Sequence, residues 1–127
     1  MARVGLNEKE ASQTGVPFDV HRFSYADLDR AVLDGDDTGF VKVIAAKGRG
    51  TILGATIIGA GAGELIHELA LAMREGIGLA ALSSLMHVYP TLSQAVQRAG
   101  DVFMRTRLTG RARSLFTRLY AWRRRGL

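Results

Sequence analysis

The run Ile52-Leu53-Gly54-Ala55-Thr56-Ile57-Ile58-Gly59 carries one polar side chain in eight residues. A short, nearly continuous apolar stretch rich in β-branched residues reads as a strand covered on both faces, so it belongs near the centre of a sheet. Residues 40–46 form a second β-rich run, and Lys47-Gly48-Arg49-Gly50 separates the two. A glycine-bearing turn of four residues between two strands predicts an antiparallel hairpin. The rest of the chain has to supply the strands that flank this hairpin and the helices that cover it.

Residues 2–6 read as a short strand, and Asn7 with Glu10 three residues on is a capping signal for a short helix ending at Gly15. A second strand is expected over residues 16–23, with Pro17 confined to its start or to a sheet edge. Ser24 and Asp27 predict one or two helical turns reaching Leu33. After the hairpin, Ala62, Leu65, Ile66, Leu69, Ala72 and Met73 mark one helical face, with Ala70 and Leu71 adding apolar surface, so this helix should be well covered. Gly76-Ile77-Gly78 ends it, and residues 79–85 form a shorter helix.

That helix leads into Met86-His87-Val88-Tyr89-Pro90-Thr91-Leu92-Ser93-Gln94, the stretch with the most chemistry in it. Thr91 followed by Gln94 reads as a capping box, and Leu92, Ala95, Val96, Ala99 and Phe103 recur at helical spacing behind it. The residue before proline is pushed toward extended backbone, and alternation would then point His87 and Tyr89 the same way. Two readings of the loop stand side by side: a catalytic element using Tyr89 or His87, and an aromatic plug with a helix cap at a subunit interface. Gln94 is uncharged and cannot act as a base, although it can satisfy a cap.

Tyr89-Pro90-Thr91-Leu92-Ser93-Gln94 resembles the His-Pro-Thr/Ser-x-x-Glu motif near the C-terminus of the pyridine nucleotide-disulfide oxidoreductases, the family of lipoamide dehydrogenase and mercuric reductase. Arg3-Val4-Gly5-Leu6-Asn7-Glu8-Lys9-Glu10-Ala11 is similar to the opening of that family's C-terminal dimerisation domain, and the residues from Ile52 to Gly59 to its I-L-G-x-x-I-x-G stretch. The resemblance implies a homodimer and a cis Tyr89-Pro90 bond. It also implies a loop that reaches the partner subunit's flavin and redox disulfide, where the family uses a His-Glu acid-base dyad. Tyr89 stands at the His position and Gln94 at the Glu position. Tyrosine there is similar to mercuric reductase, whose C-terminal cysteine pair has no counterpart in a chain without cysteine. FAD and NAD(P) are implied for the whole enzyme. The flavin and nucleotide domains that precede this domain in the family are not in this sequence, so it is expected to bind neither cofactor and not to be an enzyme by itself.

Other chemistry finds little support. Gly59-Ala60-Gly61-Ala62-Gly63-Glu64 follows a strand as a dinucleotide fingerprint does, but Glu64 stands at the sixth position, where its charge would repel a pyrophosphate, and no acid falls among residues 82–85 for a ribose. His21, His67 and His87 are too far apart for a local metal motif, and Leu71 stands where H-E-x-x-H needs its second histidine, so no metal site is expected. His67 reads as a solvated residue or one paired with Glu64, and His21 as part of a half-exposed strand. No nucleophile elbow or P-loop occurs.

Charge divides the chain. Eight of the 17 basic residues lie from Arg105 onward with no acid after Asp101, so a body of net charge −3 carries a tail of +8. Within the tail, Ala112, Leu115, Phe116, Leu119 and Trp122 form an apolar stripe, with Arg111, Arg118 and Arg125 on another face. This predicts a basic amphipathic helix over residues 109–127, suited to packing on the body or to docking on an anionic membrane surface, an acidic partner or nucleic acid. That docking is the alternative function for the chain. No run approaches the roughly 20 apolar residues of a membrane span, residues 1–10 lack the apolar core of a signal peptide, and the missing cysteines suit a reducing compartment. The cytoplasm, or the periphery of a membrane facing it, is the expected location.

The expected architecture is α+β: an antiparallel sheet of four or five strands with helices gathered mainly in the second half and on one side. Residues 1–108 form the dimerisation domain and residues 109–127 the basic helix.

Overall fold

The computed structural model describes residues 1–107. The hairpin forms as expected: β3 (Phe40–Ala46) pairs antiparallel with β4 (Ile52–Ile58), and Ala46 N donates to Thr51 O across the turn at 2.8 Å. β1 (Ala2–Gly5) adds beside β4 and β2 (Phe18–Ser24) beside β3, giving the order β1-β4-β3-β2 with every neighbour antiparallel. The sheet has four strands, and β4 lies inside it. A bulge after Ile44 leaves Leu53 without a partner on β3, and the Leu53 carbonyl accepts the amide of Leu6 at 3.0 Å.

Register decides which side chains meet. Val4, Ala55, Val43 and His21 share one cross-strand row, as do Ala2, Ile57, Val41 and Phe23, and both rows face the main core. α3 (Ala62–Arg74) covers β4 and β1 with Ile66, Leu69 and Ala72. α5 (Gln94–Arg107) crosses β2 and β3 with Val96, Ala99 and Phe103. α4 (Leu79–Ser84) packs on α5 so closely that a Cβ on Gly100 would stand 2.7 Å from both Leu79 O and Ser83 N.

The opposite face carries the row Arg3, Thr56, Lys42 and Arg22. Over it lies α1 (Glu8–Thr14), tied by Glu8 to Lys42 (2.6 Å) and by Glu10 to Arg3 (3.2 Å), with Ala11 buried. The capping box at Asn7 is complete: Asn7 Oδ1 accepts from Glu10 N at 2.8 Å, and Glu10 Oε2 from Asn7 N at 2.9 Å. β4 is consequently less covered than its sequence suggests, because Thr56 is half-exposed and Ile58 exposed on this face.

Two further expectations are corrected. The helix expected to run to Leu33 is split into a 3₁₀ turn, Tyr25–Asp27, and α2 (Asp29–Asp34), with Leu28 extended between them. Tyr25, Leu28 and Ala31 all reach the core across this break. Leu71 lies off the buried stripe of α3 and is exposed. The helix expected over residues 109–127 lies outside the described residues, and the docking read from it with it. Among the described residues no helix is long and apolar enough to cross a membrane.

Candidate functional site

The loop between α4 and α5 is fixed at both ends. Leu85 N closes α4 by donating to Ala81 O (3.0 Å), and Ala95 N opens α5 by donating to Leu92 O (3.0 Å). Between them the Tyr89-Pro90 bond is cis. The expected capping box is one-sided: Gln94 Oε1 accepts from Thr91 N at 3.3 Å, but the Thr91 hydroxyl turns away to Val88 O (2.6 Å) and Ser93 Oγ (2.8 Å). Gln94 is thus a buried cap that ties the start of α5 to Thr91.

His87 and Tyr89 do not point the same way. The His87 side chain is only 6% exposed, with Nε2 2.9 Å from Glu68 Oε1 on α3 and Nδ1 3.0 Å from Leu85 O. Tyr89 is 65% exposed, and its phenol lies close enough to the carboxylate of Asp29, at the start of α2, to feel it. Residues 86–88 form no strand, so strict alternation does not apply, and each ring goes to a different carboxylate. The hydrogen bond to Asp29, followed by that residue's negative charge, pushes the Tyr89 pKa above its ordinary value near 10. A phenol held protonated in this way can donate a hydrogen bond but is poorly suited to remove a proton at neutral pH.

Glu68 and Asp29 were not marked by the sequence. Glu68 lies 19 residues before His87 and Asp29 lies 60 before Tyr89, and no local spacing announces either pairing. Tertiary packing alone brings them to the loop.

Around the paired rings the loop is apolar and open. Met86 is 92% exposed and Val88 77%, with Leu85 exposed beside them. Each would be costly to leave in water on a free monomer, and together they form a patch of the kind that marks an interaction surface.

Elsewhere, the glycine-rich link before α3 is packed shut. The Tyr25 hydroxyl donates to Ala60 O at 3.0 Å, a Cβ on Gly59 would strike the Tyr25 ring, and one on Gly61 would press on Leu92. Backbone amides there are turned into the helix, with Glu64 N and Leu65 N both donating to Gly61 O. These residues do not fit a pyrophosphate, so FAD or a nicotinamide nucleotide has no cradle at this link. His21, expected to be half-exposed, is 3% exposed, because its row faces α5. It borders a cavity of about 550 Å³ between β2 and the end of α5, and burial lowers its pKa. His67 is exposed. Among the described residues, no group of three or more His, Cys, Asp or Glu side chains is placed to hold a metal ion.

Comparison with known proteins accounts for this arrangement. The family profile "Pyridine nucleotide-disulphide oxidoreductase, dimerisation domain" matches residues 1–100. The mitochondrial dihydrolipoyl dehydrogenases of Sus scrofa and Dictyostelium discoideum are 38% and 41% identical over 99 residues, 78% of this chain but 19% and 20% of theirs. The chain therefore spans about a fifth of the length of these curated relatives. Among solved structures, LpdA from Mycobacterium tuberculosis superposes with a TM-score of 0.72 at 25% identity, covering 78% of this chain and 22% of that one. The HOCl-induced flavoprotein disulfide reductase RclA from Escherichia coli, as its Cu(II) complex, shares the fold with a TM-score of 0.74 at 24% identity, covering 79% and 23%. The chain belongs to the pyridine nucleotide-disulfide oxidoreductase family as its dimerisation domain, of the lipoamide dehydrogenase-like kind.

Proposed function

We propose that this chain assembles as a homodimer through the face that carries residues 85–89, and that in company with flavin and nucleotide domains it serves a disulfide-reductase-like oxidoreductase using FAD and NAD(P). The observation that carries this reading is the loop itself: its backbone is anchored by Gln94 and by the His87–Glu68 pair, yet Met86, Val88 and Tyr89 are held out into solvent. A rigid loop with an apolar rim is suited to entering a partner's pocket. The family description, a dimerisation domain, supports the same assembly. Obligate interfaces of this sort bury roughly 2,000 Å² or more, with an apolar centre.

In this reading Tyr89 enters the partner subunit's flavin-side pocket as a hydrogen-bond donor or a wall, and proton abstraction falls to another group. Its phenol is kept protonated, and Gln94, at the family's Glu position, cannot carry a proton to or from it. His87 holds the loop and turns both nitrogens away from solvent.

Light scattering of the chain at tens of micromolar tests the assembly. A dimer is expected, and Val88→Asp should convert it to a folded monomer. A wild-type monomer, or a dimer indifferent to Val88→Asp, would remove this reading.

A further inference from the structure

His87 faces two acceptors. Leu85 O is a backbone carbonyl and can only accept, so Nδ1 must carry a hydrogen at 3.0 Å from it. Nε2 then stands 2.9 Å from Glu68 Oε1, where a neutral ring and an ionised carboxylate would bring two lone pairs together. A hydrogen bond there requires a second proton, on Nε2 or on Oε1. The ring is almost wholly buried and Glu68 about three-quarters buried, so water is poorly placed to replace that bond.

We propose that Glu68 is the positioning residue of the Tyr89 loop, acting through a proton that it shares with His87. The two groups lie on separate elements: Glu68 is mid-way along α3, whose Ile66 and Leu69 are seated in the core, and His87 is three residues past the end of α4. The shared proton thus pins a stretch with no regular structure to a helix seated in the core. With Leu85 O as the second anchor, the imidazole sets where residues 86–88 run, and so where Tyr89 emerges. The importance of that placement rests on the proposed dimer, but the pairing itself does not.

Substitution separates hydrogen bonding from charge. In Glu68→Gln the side-chain amide can donate to the unprotonated Nε2 of a singly protonated ring while Nδ1 still donates to Leu85 O, so the loop should hold and the ring should lose its second proton. In Glu68→Ala neither polarity is available. The experiment uses the full chain, with ¹⁵N-detected ring signals for the protonation of His87 and ¹⁵N-relaxation order parameters of the amides of residues 86–89 for loop order, read on the same samples as light scattering. The wild type should show two protons shared between ring and carboxyl. Glu68→Gln should show a ring protonated on Nδ1 alone, with order parameters like those of the wild type. In Glu68→Ala they should fall over residues 86–89 from the roughly 0.85 of rigid backbone to below about 0.6 while α3 is unchanged. A wild-type ring carrying one proton opposite an ionised Glu68 would overturn the proposal. So would a Glu68→Ala loop as ordered as the wild type, or a Glu68→Gln loop as disordered as that of Glu68→Ala. A wild-type monomer with these order parameters and ring signals intact would sink the dimer reading and leave this one standing.

Discussion

The imidazole of His21 stands edge-on to the ring of Phe103, with centroids 5.3 Å apart and planes at 82°, and neither of its nitrogens has a hydrogen-bonding partner among the described residues. β2 and α5 are thus joined by a contact that leaves a buried polar group without a partner among the described residues. An unpaired group of this kind costs about 1–3 kcal/mol, so His21→Leu should be neutral or stabilising by about 1 kcal/mol in denaturant unfolding.

The same histidine makes stability depend on pH. Burial, opposed in part by the charge of Asp19, lowers its folded pKa below the ordinary 6.5. The unfolded chain therefore takes up a proton near pH 6.5 that the folded chain takes up only at lower pH. Stability contributed by the neutral ring is intact above about 6.5 and is lost as pH falls toward the folded pKa. His21→Leu should flatten unfolding free energy across that window, and an unchanged slope would show that other groups set it.

Gly100→Ala should lower stability by about 1–3 kcal/mol, because the added methyl would meet the backbone of α4 at Leu79 and Ser83 rather than a side chain that can swing aside. Thermal unfolding reads the loss. The bond from Ser83 Oγ to Asp101 Oδ1, 2.6 Å long, should loosen with it.

Asn7→Ala should cost about 1 kcal/mol through the lost helix cap. Glu10, the other half of the box, has its carboxyl held below the ordinary 4.5 chiefly by the Asn7 backbone amide and then by Arg3. Its contribution is present above the unfolded value and disappears as pH falls through the folded one, so Glu10→Gln should remove part of the acid limb. An NMR titration of Glu10 at or above 4.5 would contradict this.

Tyr89 should ionise at higher pH than a free tyrosine in an ultraviolet titration, and Asp29→Asn should bring it down toward 10. In a complete enzyme containing this domain, Tyr89→Phe should reduce turnover by less than about tenfold, short of the 10²–10⁴ that a general acid or base supplies. A loss in that larger range would assign Tyr89 to proton transfer.

The hairpin, the Asn7–Glu10 cap and the helix ends at Gly15 and Gly76 were legible because each is written within a few consecutive residues. Rows across the sheet are not written that way. Whether His21 met solvent or Phe103 depended on its register with Val43, two strands and a turn from anything local. The same holds for the loop: its proline and its cap could be read in the sequence, but Glu68 and Asp29 arrive from α3 and α2 by packing. The Thr91–Gln94 spacing did predict a bond, yet only one of its two directions formed, because Val88 O competed for the Thr91 hydroxyl.

α1 stands apart from the other four helices, fastened to the far side of the sheet by one buried alanine and two ion pairs of partly exposed side chains. Exposed pairs hold little, typically under about 1 kcal/mol each. α1 is therefore free to peel away as a unit while the hairpin and the helices behind it stay assembled. Such a domain would offer proteases a first cut near residues 7–15 long before it lost its fold, and what survived the cut would still carry the loop.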